Sequence, residues 1–244
     1  MSKNAAEITR KDMKAPDAFQ AAAGQAAGWV AGHQKQIVAA VVGALVLLAL
    51  ALGGMSWIEA RRKDAGAALY GVLNDADGQV SSVPLPGVAG PLFPSSEAQQ
   101  RSIVAKATEV QKNFASSEAA RTAGLAAGAA QYRLGAYDAA LAAYEAYLAS
   151  AKAGDSLAFV AIEGVARAKE GKGDLAGALA AFDRLRTDAP PSYADRVALE
   201  RARLLARQGK TDEARQILQT FPQDFKESQA KPEAEQQLAR LGAK

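Results

Sequence analysis

Residues 36–58 read QIVAAVVGALVLLALALGGMSWI, and no side chain between Ile37 and Ile58 is charged. No other stretch restricts the fold so severely. As a helix it rises ~33 Å, close to the ~30 Å hydrocarbon core of a bilayer. Gly43, Gly53 and Gly54 would weaken a soluble helix but are ordinary in membrane spans. A core helix would show polar positions at a regular period, and none recur here. The chain's two tryptophans, Trp29 and Trp57, flank the run. On a continuous helix they stand ~42 Å apart, the thickness of a bilayer with its headgroups. Ala49-Leu50-Ala51 has the form of a signal-peptidase site. The apolar run nevertheless continues through Leu52, Met55, Trp57 and Ile58, and a long segment precedes it. The expectation is an uncleaved single-pass span, with Trp29, Trp57, Arg61, Arg62 and Lys63 at the membrane interface and the lipid bilayer as first partner.

The flanks leave its direction open. Counted close to the span, Arg61-Arg62-Lys63 outweigh Lys35 and favour a cytosolic C-terminal part. Counted over the whole tail, Lys3, Arg10, Lys11, Lys14 and Lys35 favour a cytosolic N-terminus.

Composition excludes several classes. The net charge of +3 is scattered, so a nucleic-acid partner is not expected. There is no cysteine, and the one histidine, His33, precedes the span. Thiolate catalysis, His-dependent triads and the usual metal sites are therefore absent. Carboxylate pairs such as Asp174/Asp183 and Glu163/Glu170 have the spacing of solvated helix faces. Gly171-Lys172-Gly173-Asp174 lacks the spacing of a phosphate loop. The expectation is no enzyme, no cofactor and no metal.

Along the chain, residues 1–35 form a polar tail. Pro16-Asp17 can start a helix there, and Phe19, Ala23, Ala26 and Val30 share one face. Past the span, residues 59–96 read as a helix extension followed by a linker rich in proline and glycine. Val83, Leu85, Val88, Leu92 and Phe93 give that linker a means of docking. Residues 97–244 are helical in period throughout, with caps around Ile103 to Phe114 and Glu233 to Leu241.

Three segments in this part share a layout: LGAYDAALAAYEAYL, GDLAGALAAFDRLR and GKTDEARQILQTF. Each opens at a glycine turn, and five residues later comes Ala140, Ala178 or Ala214. These alanines lie 38 and 36 residues apart, a period typical of helical repeat arrays. Twelve residues before each stands Gly128, Ala166 or Ala202. In a helix–turn–helix unit the paired small residues face one another where helices approach closest. Four residues after each alanine, Tyr144, Phe182 or Leu218 is available to pack on the next unit. Gly171-Lys172 reads as a two-residue insertion.

The pattern resembles the tetratricopeptide repeat over residues 118–222, with longer units, no tryptophan in the first helix and a terminal proline only at Pro190. The fold class is then all-α: one N-terminal transmembrane helix followed by a tetratricopeptide-like solenoid of about three units. Tail, span and repeats in that order also resemble the ancillary subunit of the bacterial Sec translocon and related cell-envelope repeat proteins. The resemblance implies a single-pass inner-membrane protein with a cytoplasmic N-terminus and periplasmic repeats. It implies protein partners: the translocon, exported clients or an envelope complex. The implied peptide groove is lined by Tyr132, Arg133, Arg167, Leu199, Arg203 and Arg207, whose arginines suit an acidic ligand. The alternatives are a structural subunit of a fixed envelope assembly and a cytosol-facing membrane adaptor.

Overall fold

The computed structural model describes residues 18–83, 90–188 and 190–242. The chain divides into two units, residues 1–60 and 61–244.

In the first unit, α1 (Ala18–Gly32) and the start of α2 (Gln34–Ala76) meet at His33. The His33 ring stacks on Trp29 with centroids 4.7 Å apart, and its Nδ1 lies 2.9 Å from the Trp29 carbonyl oxygen. The helix start expected at Pro16-Asp17 lies outside the described residues. Large apolar side chains from Val38 to Ile58 are exposed, with Leu47 at 69 % and Leu50 at 68 %. By length and composition α2 can cross a membrane.

The second unit begins inside α2, so the helix extension belongs to the packed body. Ala65 and Val72 are buried, and Val72 sits in one core with Ile103, Ala107 and Val110 of α3 (Ser96–Asn113). Asp75, 2 % exposed, fastens the two helices. Its carboxylate accepts from Ser102 Oγ at 2.5 Å and pairs with Lys106 Nζ at 2.7 Å. Gln99 Nε2 donates to the carbonyls of Asp75 and Gly78 at 2.9 and 2.8 Å. Gln99 thus ties the end of α2 and the turn after it to α3. Arg61 donates to the Asn113 carbonyl at 2.8 Å, and its guanidinium lies over the Phe114 ring.

The described parts of the connector pair with each other. A short parallel ladder joins β1 (Gln79–Val80) to β2 (Leu92–Phe93), and Phe93 lies so close over Gly78 that a Cβ there would be 2.7 Å from the ring. Of the docking residues expected from sequence, Phe93 packs. Val83 and Leu92 do not: they are 63 % and 39 % exposed. Leu85 and Val88 lie outside the described residues.

Three helical hairpins follow: α4 (Glu118–Arg133) with α5 (Tyr137–Ser150), α6 (Ala158–Gly171) with α7 (Leu175–Asp188), and α8 (Ala194–Arg207) with α9 (Thr211–Asp224). α10 (Lys231–Gly242) closes the array against α9. The three turns are alike. Gly135, Gly173 and Gly209 have φ of 75°, 85° and 80°, a region costly for any residue with a Cβ. The next amide in each turn donates to the carbonyl of Gln131, Lys169 or Leu205. Gly171-Lys172 is therefore no insertion, because the turn offsets agree. The two extra residues sit in the α5–α6 connector, residues 151–157, against residues 189–193 between α7 and α8.

Small residues fill the hairpin interiors. Ala140, Ala166, Ala178, Ala202 and Ala214 are all 0 % exposed, and Gly128 is buried. Tyr144, Phe182 and Leu218 are buried alongside them. The first two pack in a core shared by the first and second hairpins, and Leu218 in one shared by α8, α9 and α10.

Candidate functional site

Helices α6 and α8 are the first helices of neighbouring hairpins, and a lattice of ion pairs joins them. Glu163 accepts from Arg167 Nε at 2.8 Å, one turn along α6, and from Arg196 of α8 at 3.1 Å. The Tyr193 hydroxyl also donates to it. Arg167 reaches Glu200 at 3.4 Å. Arg203 forms a two-pronged contact with Glu170, Nη1–Oε1 at 2.5 Å and Nη2–Oε2 at 2.7 Å, while its Nε donates to Glu200 at 2.8 Å. Arg207 donates to the same Glu170 carboxylate.

These carboxylates are nearly enclosed. The Glu163, Glu170 and Glu200 side chains are 13 %, 14 % and 19 % exposed, and each is paired with arginine. Planar guanidinium groups suit such sites because they grip a carboxylate with two parallel bonds. The Arg203 hydrogen bonds hold Glu170 below the ordinary carboxylate value, against the opposing effect of burial. At Glu163, burial pushes upward, but hydrogen bonds from Tyr193 and Arg167 outweigh it and the net shift is downward.

Of the six residues expected to line a groove, three belong to this lattice: Arg167, Arg203 and Arg207. All three are ion-paired with glutamates, and Glu163 and Glu170 are not solvated helix faces. Tyr132 packs at the edge of the core with its ring 5.6 Å from that of Tyr137. Arg133 is exposed and lies 3.4 Å from Gln100 Oε1 of α3. Leu199 is corrected outright: at 4 % exposure it is a core residue, packed with Ala202, Leu205 and Leu218. Arg62 and Lys63 are exposed on α2.

Glu200 and Tyr193 were not singled out from the sequence, and Glu163 and Glu170 were read only as solvated helix faces, though a signal existed. Glu163–Arg196, Arg167–Glu200 and Glu170–Arg203 are each 33 positions apart. That offset marks facing positions on successive first helices, and opposite charges repeat along it.

A second staple joins α4 and α5 to the connector before α6. Asp155 accepts from the Leu157 amide at 3.0 Å, the Tyr147 hydroxyl at 2.9 Å and Arg121 at 3.3 Å. Led by the Leu157 amide, these contacts lower its pKa, while burial and the Asp155 bond push Tyr147 up to about 12. Among the described residues, no cluster of three or more histidine or carboxylate side chains is placed to hold a metal. The arrangement can grip and orient carboxylates.

A comparison with functionally curated proteins finds no match. The model of the tetratricopeptide repeat-like domain family matches residues 27–243, nearly the whole chain, and the chain belongs to that family.

Proposed function

We propose that this protein is a membrane-anchored interaction module that engages exported or cell-envelope proteins beside a bacterial inner membrane, as an accessory of the export translocon. Tetratricopeptide repeat-like domains commonly mediate protein–protein contact. The observation that carries the reading is that one helix, Gln34–Ala76, supplies both the apolar run and the core residues Ala65 and Val72. Anchoring would confine the repeats to the membrane plane and raise their effective concentration beside a membrane partner. The repeats would face the periplasm and the N-terminal tail the cytoplasm, since long domains cross largely regardless of flanking charge. Arg61 has structural work at the end of α3, so the flanking positive cluster serves more than orientation.

External protease on spheroplasts, combined with a photo-cross-linking side chain at Arg133, tests the reading. Digestion of the C-terminal domain, a protected N-terminal tag and cross-links to varied exported proteins support it. A C-terminal domain that survives while periplasmic controls are digested replaces it with a cytosol-facing adaptor. A single stoichiometric cross-linked partner replaces it with a fixed envelope assembly.

A further inference from the structure

We infer that the outward face of residues 66–73 on α2, centred on Tyr70 and Leu73, packs against the same face of a second copy of this chain. The inference rests on the membrane anchorage of the interaction-module reading and adds a partner which that reading does not name.

Among the described residues, helices α3–α10 expose no large apolar side chain, whereas α2 beyond Arg61 exposes two. Tyr70 is 68 % and Leu73 43 % exposed, three positions apart on one helix. Ala65 and Val72, on the opposite face, are buried. Folding of the repeats therefore covers one side of this helix and leaves the other apolar side bare. Gly66, one turn before Tyr70, is a second sign. A Cβ there would meet nothing within 4 Å, so the repeat body has no packing use for a residue that weakens a helix. On an outer face, glycine lets another helix approach closely.

Lipid does not reach this face. Tyr70 follows Ile58 by twelve residues, ~18 Å of helix, against ~5–8 Å for one headgroup layer. A tilt of ~40° still leaves ~14 Å.

The spacing points to the occupant. Gly66, Tyr70 and Leu73 fall four and three residues apart. Counting back in the same alternation through Lys63, Glu59 and Ser56 reaches the apolar run at Leu52, Ala49 and Leu45. Alternate steps of four and three are the seam of two parallel helices packed knob into hole. Copies of one chain enter a bilayer in the same direction, so their α2 helices run parallel and level. A two-fold axis then sets Tyr70 against Tyr70 and Leu73 against Leu73. Glu59 and Lys63 make the middle of the seam polar, an interruption that fixes register at a cost in stability.

The chain has no cysteine, so single-cysteine variants report contacts cleanly. Tyr70→Cys, Leu73→Cys and Asp64→Cys are made in the full chain, and membranes of cells expressing each are oxidised with copper phenanthroline. Asp64 is exposed on α2, about 120° around the helix from Tyr70. Disulfide-linked dimers should form at positions 70 and 73 and stay at background at 64. Leu73→Lys added to Tyr70→Cys should cut the dimer about tenfold, the scale of one large apolar side chain left unburied. Leu73 is exposed, so the lysine should leave the melting midpoint unchanged. Should that variant melt early, the pattern at positions 64, 70 and 73 decides alone. Equal cross-linking at all three positions is random collision and overturns the proposal. No dimer at 70 and 73, or an undiminished dimer in a well-folded Leu73→Lys protein, does the same. So does a link from position 70 to a different protein in place of the dimer, or quenching by lipid-borne nitroxide of a fluorophore on Leu73→Cys. A chain that resists alkaline extraction but gives no dimer sinks this inference and leaves the interaction-module reading standing. A chain that alkali strips from the membrane sinks the anchor, and this inference with it.

Discussion

The Tyr144 ring of the first hairpin is seated directly against Gly164 of the second, where a Cβ would lie 2.5 Å from Cε2. A Cβ at Gly128, in the same hairpin as the ring, would lie 3.1 Å from Cε1. The ring is 6 % exposed, and burial pushes its hydroxyl up to about 12. Two mid-helix glycines thus make one aromatic slot between repeats. Gly164→Ala should destabilise the fold by about 1–3 kcal/mol, the cost of overpacking. The gain in helix propensity recovers only about 1 kcal/mol. Denaturant melts of the full chain in micelles measure it, and a more stable variant would show that the slot is loose.

Ala140→Leu and Ala178→Leu insert bulk where nothing is exposed. Each should cost about 1–3 kcal/mol. Ala149→Leu, on an exposed face of α5, should move the melting midpoint little. Equal behaviour of all three would contradict the close packing of the hairpins.

Acid should loosen the joint between α6 and α8. Glu163 and Glu170 both titrate below their ordinary value of 4.5. Their contribution to stability is therefore full above that value and fades as pH falls through the lowered folded values. The cations facing them are Arg167, Arg196, Arg203 and Arg207. Glu170→Gln should be less stable than wild type at neutral pH and lose less on acidification below pH 4.5. Parallel curves for the two proteins would refute the coupling.

Asp75→Asn keeps the shape of the junction between α2 and α3 but removes its charge. Ser102 and Lys106 lose their anion. Lys106, 45 % exposed, can turn to solvent, so the cost should be about 1–3 kcal/mol, that of charge-assisted hydrogen bonds. Hydrogen exchange should rise first in residues 71–76 and 99–106. Unchanged protection there would show that the apolar contacts suffice.

The parts of the fold legible in the sequence were those governed by short, one-sided constraints. A turn needing positive φ admits glycine, so Gly135, Gly173 and Gly209 announced the hairpins. Close helix crossings admit only small residues, so Ala140, Ala178 and Ala214 announced their interiors. What stayed hidden depended on partners far along the chain. Gly164 looks like a weak point in a helix until Tyr144, twenty positions earlier, is seated on it. Asp75 reads as the start of a linker because its partners stand 24 to 31 positions away. The arginines suggested an empty anion site because Glu170, the partner of Arg203 and Arg207, and Glu200, which Arg167 reaches, stand on the neighbouring repeat. Leu199 was misplaced because helical period alone does not say which edge of an apolar stripe faces the core.

Arg61 to Ala76 complete the α2 helix and also wall the first hydrophobic core of the repeats. A chimera joining residues 77–244 to a foreign span would uncover Ile103, Ala107 and Val110 and strip Ser102 and Lys106 of Asp75. The seam for transplanting this domain therefore runs through the middle of a helix, near Arg61, and not through the loop that looks dispensable. Residues 61–76 therefore travel with the repeats in any transplant, because their side chains are part of the repeat core.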